Sequence, residues 1–338
     1  MITRRSVSAV LVLAPLVGCQ STPSAPTSAP APQSLTKLRV KVFPGAQNLG
    51  QFAALSQGFF AKHGLEVDLQ FTQNSVQLRD GLAQGGHDLA HSAVDNAVAM
   101  REQAGHDVVI LSGGDNSMNE LFVQSETTAV AQLKGKTLVV DAPNTAYALQ
   151  AKKIFKTNDL GPSDYQIKEV GATAFRLKAL QDDKRNAVAM LNLPFSLQAH
   201  DSGLRSLGYV ADLLGPPYQA TGAFAMRPWA SANGAAIERY LAGYIEGLRW
   251  ALNPANKAQT LQLLQTRLNI AAPLAQRIYA ALVDKRYGLT PDARFDTQGF
   301  ANVLALRAEI EGQWGGVPPS QERYVDLSWY HKALKRLG

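Results

Sequence analysis

Hydrophobic and polar residues alternate at several places in the first two thirds of the chain, and each such stretch predicts a half-buried strand. Between these stretches, apolar side chains recur at helical spacing and end at a glycine, as at Gly64. The predicted strands are residues 38–43, 65–71 and 87–91, and the predicted helices are residues 48–64 and 75–86. The pattern is typical of a sheet whose strands are joined by helices.

The same order of elements recurs about a hundred residues later. Matched apolar positions keep a spacing of 99 or 100 residues: Val40 and Val140, Leu78 and Leu177, Leu89 and Val188. A unit that occurs only twice does not indicate a solenoid. It predicts an α/β protein with two lobes of one architecture, each a mostly parallel sheet flanked by helices. Beyond residue 218 the pattern is largely helical.

Composition fits a globular protein of about two domains. The chain has 338 residues, of which 46% are hydrophobic and 18% charged. The formal net charge of +6 is spread out, without a cluster of Lys and Arg interleaved with aromatics, so no nucleic-acid partner is expected. With one cysteine, Cys19, an internal disulfide is impossible.

The first residues have the pattern of a targeting segment. Arg4 and Arg5 precede an apolar run, residues 6–17, which is too short to span a bilayer. The sequence LVGC at residues 16–19 resembles the bacterial lipobox, which implies cleavage before Cys19 and attachment of palmitate-type lipid to it. A plain secretory signal with an incidental cysteine is the alternative.

This interpretation divides the first 36 residues into two segments. Residues 1–18 are a lipoprotein signal peptide, and residues 19–36, rich in Pro and Ser, are a tether that cannot bury enough surface to fold. The protein is then expected in the periplasm, lipid-anchored to a bacterial membrane. The sequence does not distinguish between the inner and the outer membrane as the site of the anchor.

Three sequence blocks carry a family resemblance: FAALSQGFFAKHGLEVDLQF, GLAQGGHDLAHSAVDN and LKGKTLVVDAPNTAYAL. They resemble the NMT1/SsuA-like family of type II periplasmic solute-binding proteins, which serve nitrate-, sulfonate- and taurine-type ABC importers. The resemblance implies a first lobe of residues 37–122, a second lobe of 123–218, and a return of 219–338 to the first lobe. It places the two crossings near residues 121–125 and 218–225.

The same resemblance implies the function. The chain would be the substrate-binding component of an ABC importer, a monomer without a cofactor that captures a small-molecule ligand and delivers it to a permease in the inner membrane. A periplasmic sensory or structural lipoprotein of the same fold is the alternative. An enzyme of pyrimidine-synthesis type is a third reading, but those enzymes carry a Cys-rich motif, and the predicted lobes contain no cysteine. We therefore expect no catalysis.

Ligands of open α/β sheets bind beyond the carboxyl ends of the strands. In this chain those ends are rich in Asn, Ser, Thr and Gln, residues that also serve as helix caps and turn formers. The candidate ligand-binding residues are Phe43, Gln47, Asn48, Asn74, Ser75, Ser92, Asp95, Asn116, Asn144, Thr145, Asn192 and Tyr218.

Four of these candidates suggest the kind of ligand. Asp95 suits an amine or ring N–H, and the amides that follow Thr145 suit an acidic group at a helix start. The candidate loops contain no Arg or Lys, which argues against a dianion. A small polar ligand, partly aromatic or heterocyclic and stacked on Phe43 or Tyr218, is the resulting expectation.

His87, Asp88 and His91 imitate a metal triad. On a strand, however, residues 87 and 91 share a face while residue 88 points to the other, so no metal site is expected. Phe59 and Phe60 fit the buried face of their helix and are interpreted as core.

Replacing Cys19 by Ala is expected to abolish membrane association, because the thiol is the only group that the lipobox can acylate. Incorporation of labelled palmitate and partition into detergent measure the effect, with Ser24→Ala in the tether as the control. A Cys19→Ala variant that still partitions into detergent after signal cleavage would contradict the lipoprotein interpretation.

Overall fold

Within the described residues the chain builds two five-stranded sheets. The computed structural model describes residues 34–115, 118–215 and 217–338, together with residues 1, 6 and 8–11. Cys19, Asn116 and most of the predicted signal peptide and tether therefore lie outside the described residues.

Strands and helices alternate through the first two thirds of the described chain, as the hydrophobic pattern predicts. The strands are β1 (Thr36–Val42), β2 (Leu65–Phe71), β3 (Leu89–Ala93), β4 (Val108–Ile110), β5 (Glu120–Val123), β6 (Thr137–Val140), β7 (Gln166–Glu169), β8 (Asn186–Leu191), β9 (Arg205–Tyr209) and β10 (Thr221–Met226). The helices of this part are α1 (Leu49–Ser56), α2 (Phe59–Lys62), α3 (Ser75–Ala83), α4 (Asp95–Ala104), α5 (Ala146–Lys156), α6 (Thr173–Asp182), α7 (Phe195–Asp201) and α8 (Val210–Leu214).

Helices dominate after β10. They are α9 (Arg227–Ala232), α10 (Gly234–Leu252), α11 (Lys257–Leu268), α12 (Ala272–Leu282), α13 (Thr297–Glu311) and α14 (Ser328–Leu337). None of the helices in the described part of the chain has both the length and the apolar character that crossing a membrane requires.

The two sheets share one topology. The first has the order β2-β1-β3-β10-β4 and the second β7-β6-β8-β5-β9. In each, the first three strands are parallel, and the fourth runs antiparallel to both of its neighbours. The predicted fold class, two lobes built on mostly parallel sheets with a helical final part, is confirmed.

The strands β5 and β10 carry the chain between the lobes. Because β5 begins at Glu120 and pairs with β8, the second sheet includes residues that the predicted boundary at 122/123 gives to the first lobe. The strand β5 overlaps the range 121–125, near which the resemblance places the first crossing. It returns to the first sheet with β10, which begins at Thr221.

The repeat seen in the sequence is a repeat of structure. Val40 lies in β1 and Val140 in β6, and these strands hold the same place in their sheets. Leu78 and Leu177 lie in the equivalent helices α3 and α6, and Leu89 and Val188 in the equivalent strands β3 and β8; all six side chains are buried. The spacing therefore marks equivalent core positions.

The helix α10 completes the core of the first lobe by packing on α1. The approach is so close that a Cβ on Gly247 would lie 2.1 Å from the carbonyl oxygen of Gly50. Only glycine permits this close approach of the two helices, and the close approach lets Tyr240 and Tyr244 of α10 be fully buried.

The helix α13 also reaches the second lobe. The Nζ atom of Lys152 in α5 lies 2.9 Å from Oε1 of Glu311 in α13. The Nζ atom of Lys153 lies 2.7 Å from Oε1 of Glu309. Exposed pairs of this kind contribute little individually. They show, however, that a helix following the return to the first lobe is in direct contact with the second.

A buried ion pair lies behind this contact. Arg307 of α13 donates to both carboxylate oxygens of Asp95 at the start of α4, and both side chains are almost completely buried. The Nη2 atom of Arg307 also donates to the carbonyl oxygen of Asn144, at 3.0 Å, in the loop before α5. One guanidinium thereby joins α4, α13 and the second lobe.

Replacing Arg307 by Met should lower the free energy of unfolding by about 3–5 kcal/mol, because Asp95 would remain buried without its partner. Urea unfolding followed by circular dichroism measures the loss. Lys178→Met, in an exposed pair with Asp182, is the control and should cost less than about 1 kcal/mol. A double variant, Asp95→Leu with Arg307→Met, should lose less than the sum of the two single changes; additive losses would contradict the pairing.

Candidate ligand-binding site

The carboxyl ends of the parallel strands in both sheets border one cavity. The cavity has a volume of about 60 Å³. The lining comes from both lobes and consists of Phe43, Gln47, Asn48, Ser75, His91, Ser92, Ala93, Asn96, Asp115, Met118, Asn119, Asp141, Thr145, Ala146, Tyr147, Thr173, Arg176, Asn192 and Thr221.

Direct hydrogen bonds between the lobes surround the cavity. They run from Asn192 Nδ2 to Gln47 Oε1 (3.1 Å), from the Ser75 amide to Asp141 Oδ2 (3.1 Å), from the Ala46 amide to the Leu193 carbonyl (3.0 Å) and from the Ala172 amide to the Gln73 carbonyl (2.8 Å). The two lobes are therefore closed on each other in this structure.

Most of the candidates named from the sequence line this cavity. They are Phe43, Gln47, Asn48, Ser75, Ser92, Thr145 and Asn192. Asn116 lies outside the described residues. The remaining four, Asn74, Asp95, Asn144 and Tyr218, are not among the lining residues.

Each of these four makes other contacts. Asn74 caps α3, its side chain accepting from the Gln77 amide at 2.8 Å. The Asp95 carboxylate is turned to Arg307, so it does not offer the expected partner for a ligand amine.

The side chains of the other two candidates, Asn144 and Tyr218, also make their contacts away from the cavity. The side chain of Asn144 donates to Gln103 Oε1 at 2.9 Å, while Tyr218 is buried in the core of the first lobe. Of the two rings proposed for stacking, only Phe43 faces the cavity; the second ring is Tyr147, which the sequence reasoning did not single out.

Arg176 is the main residue of the cavity lining that the sequence reasoning missed. It enters from the first turn of α6 and is only 2% exposed. Its guanidinium donates to the Met190 carbonyl (3.1 Å), the Gly171 carbonyl (2.8 Å) and Thr173 Oγ1 (2.7 Å). The argument against a dianion considered only the loops, which do lack Arg and Lys; here the basic side chain of the lining comes from a helix.

A sequence signal for Arg176 exists. Thr173, Arg176, Leu177 and Leu180 are the buried residues of α6, spaced as one helical face. An arginine on the apolar face of a helix indicates a buried cation. Arg307 shows the same signal, between Leu304 and Ala308 on the buried face of α13.

Two acidic side chains also line the cavity. Asp141, directly after β6, accepts from the amide of Ser75 at the start of α3, where the helix dipole favours a negative charge. Asp115 accepts from the hydroxyl of Thr221, which anchors it to the beginning of β10. Burial lowers the pKa of Arg176, and the charge of Asp141 acts in the opposite direction.

His91 and Tyr147 are both neutral lining groups. Burial lowers the pKa of His91 to about 3, and its Nδ1 lies 3.0 Å from Gln51 Nε2 and 3.2 Å from the Tyr240 hydroxyl. Burial raises the pKa of Tyr147 to about 12. His87 lies before β3, and the described residues include no group of three His, Cys, Asp or Glu that could hold a metal ion.

Some polar atoms of the lining have no hydrogen-bond partner among the described residues. They are Ser92 Oγ, Asn96 Oδ1 and Asn192 Oδ1, all buried. Buried polar groups are nearly always satisfied, and leaving one unsatisfied costs about 1–3 kcal/mol. These atoms are thus available to a ligand or to water in the cavity.

Comparisons with known proteins agree with this architecture. The NMT1/THI5-like family model matches residues 46–258, whereas no curated protein matches by sequence. A protein of Bordetella bronchiseptica RB50 superposes with a TM-score of 0.78 at 17% identity, over 90% of this chain and 98% of that one.

Two further solved structures share the fold. The periplasmic nitrate-binding protein NrtA of Synechocystis PCC 6803 has a TM-score of 0.72 at 15% identity, covering 90% of this chain and 89% of that one. The periplasmic aliphatic sulphonate-binding protein SsuA of Escherichia coli has a TM-score of 0.66 at 19% identity, covering 83% and 88%. Since the family model matches more than half of the sequence, the chain belongs to the NMT1/THI5-like family.

Proposed function

We propose that this protein is the solute-binding component of an ABC importer, which captures a small polar molecule between its lobes and delivers it to a permease. One observation carries the proposal. A cavity bordered by both lobes is lined by buried polar atoms, on Ser92, Asn96 and Asn192, that lack partners in the described structure. A ligand that supplies the missing hydrogen bonds stabilises the closed form.

Closure is the step that such a ligand would control. Gln47 and Asn192 come from different lobes, bond to each other across the cleft and also line the cavity. A ligand that touches both side chains binds the closed form better than the open form, and this difference in affinity shifts the population toward closure. The permease would recognise the closed form.

The lining supports binding rather than catalysis. Ser92 is the serine next to His91, but its Oγ has no partner among the described residues, so no base activates it. His91 is held through Nδ1 by Gln51 and Tyr240, and burial lowers its pKa to about 3, which makes the neutral imidazole a weak base.

The location remains part of the proposal. The solved relatives named above include periplasmic binding proteins, and a periplasmic receptor held by a lipid on Cys19 would stay close to its permease. The tether 19–36 would let a monomeric receptor reach that partner.

Replacing Asn192 by Ala should weaken ligand binding about tenfold or more, because a hydrogen bond to the ligand and the bond to Gln47 are lost together. Native mass spectrometry of the purified protein, mixed with a low-molecular-weight bacterial extract, measures the bound fraction. The wild type should gain the mass of one solute, and most of this protein–solute complex should be absent for the variant.

The matched control is Asn74→Ala, which removes a helix cap outside the cavity. This variant should lose about 0.5–2 kcal/mol of stability and keep the solute. If the wild type takes up no solute from any extract, the receptor proposal is wrong; if Asn74→Ala loses the solute and Asn192→Ala keeps it, the cavity is not the binding site.

A further inference from the structure

Two late helices of the first lobe carry charged side chains that contact the second lobe outside the cavity. Ile278 and Leu282 of α12 belong to the apolar core around β1. Phe300 and Val303 of α13 belong to a second core cluster, which includes Phe224 of β10. Both helices are therefore built into the first lobe, and each reaches the second lobe at a place of its own.

The first place, the α13 contact, joins α13 to α5. Oε1 of Glu309 lies 2.7 Å from Nζ of Lys153 and 3.0 Å from Nζ of Lys156. Oε1 of Glu311 lies 2.9 Å from Nζ of Lys152, and these two side chains are only 23% and 19% exposed. Here the first lobe supplies the carboxylates and the second lobe supplies the ammonium groups.

The second place, the α12 contact, has the opposite arrangement of charge. Nη1 of Arg277 in α12 donates to both carboxylate oxygens of Asp201 at the end of α7, at 2.8 and 2.9 Å. Beyond the end of α12, Arg286 donates to the carboxylate of Asp212 in α8. Here the first lobe supplies the guanidinium groups and the second lobe supplies the carboxylates.

An aromatic stack accompanies the α12 contact. The rings of Tyr287, which follows α12, and Tyr209, at the end of β9, lie 3.9 Å apart between centroids and are inclined by 5°. The hydroxyl of Tyr287 donates to Oδ2 of Asp212 at 2.6 Å. The α12 contact therefore combines charge, a directed hydrogen bond and ring packing.

The opposite polarity of the two contacts fixes how the lobes can meet. A displacement of the second lobe that brings the lysines of α5 toward Arg277 and Arg286 would place like charges together, so one mutual orientation is favoured. Exposed ion pairs contribute little one at a time. The pairs of both contacts join the same two bodies, however, so their contributions act on the same movement.

We propose that α12 and α13 form a charged clasp that draws the second lobe onto the first and makes the balance between the open and closed forms depend on ionic strength. The clasp consists of the α12 contact and the α13 contact. It acts from outside the cavity, so by favouring the closed form it raises the affinity for any solute that the closed form binds, charged or not.

Salt is the agent that weakens the clasp. The Debye length falls from about 10 Å at 0.1 M salt to about 3 Å at 1 M, and exposed charges are screened accordingly. The closed form should therefore lose population as the ionic strength rises, even when no solute is present.

Distances between two spin labels, one on each lobe, measure the population of the closed form. In the full chain with Cys19→Ala, the labels are attached at Gln77→Cys in α3 and Lys178→Cys in α6, two exposed positions. Double electron–electron resonance without solute should show mainly the short distance at about 0.1 M salt. The ratio of closed to open should fall at least about fivefold at about 1 M salt.

An exchange of charges tests the α12 contact. Asp201→Arg alone and Arg277→Asp alone each place like charges opposite each other, so each should shift the distribution to the long distance. The double exchange should restore the short distance, which loss of a merely structural contact would not do. Circular dichroism verifies that each variant is folded.

A second pair of variants tests the α13 contact. Glu309→Gln combined with Glu311→Gln should lower the ratio of closed to open about fivefold at low salt and reduce its response to salt. The matched control is Glu238→Gln, which removes an ion pair with Arg336 inside the first lobe, at 2.9 Å. The control should keep both the distances and the response to salt.

Three results would overturn the clasp: distances that do not respond to salt, a double exchange that stays open, or a control that opens as far as the α13 variant. None of these measurements involves a solute. Failure of the receptor proposal, which the extract experiment detects, is therefore distinguishable from failure of the clasp.

Discussion

The ion pair between Arg307 and Asp95 connects parts of the chain that are far apart in sequence. Asp95 begins α4, immediately after the strand that brings Ser92 to the cavity, and Arg307 lies on α13. The same guanidinium reaches the carbonyl of Asn144, just before Thr145 enters the lining of the second lobe. Because a guanidinium is planar and donates in fixed directions, the pair sets the two walls of the cavity relative to each other.

The local pattern of apolar and polar residues was sufficient to predict most of the fold. Alternation and helical spacing are short-range properties, and β2 has the very bounds that the alternation of residues 65–71 predicts. The strands β5 and β10 are different. Each is a short, mostly buried run without clear alternation, so the local pattern does not predict an antiparallel strand inserted into the middle of a sheet. Only the family resemblance implies a crossing there.

The site was less predictable because its charged groups depend on tertiary contacts. The residues that follow the strands could be named because the strand order alone brings them together, and seven of them line the cavity. Asp95 could not be assigned, because its partner Arg307 is 212 residues away in the chain. Arg176 was overlooked because it belongs to a helix face and not to a loop.

The shared strand order has a consequence for the order in which the lobes can form. The second sheet is one continuous stretch of chain, from β5 to β9, whereas β4 pairs in its sheet with β10 and bridges to Val325, both of which follow the second lobe in sequence. A chain that emerges amino end first can therefore complete its second lobe before its first. Until β10 arrives, Val108–Ile110, fully buried in the final structure, lack their sheet partner and remain a hydrophobic edge open to other chains.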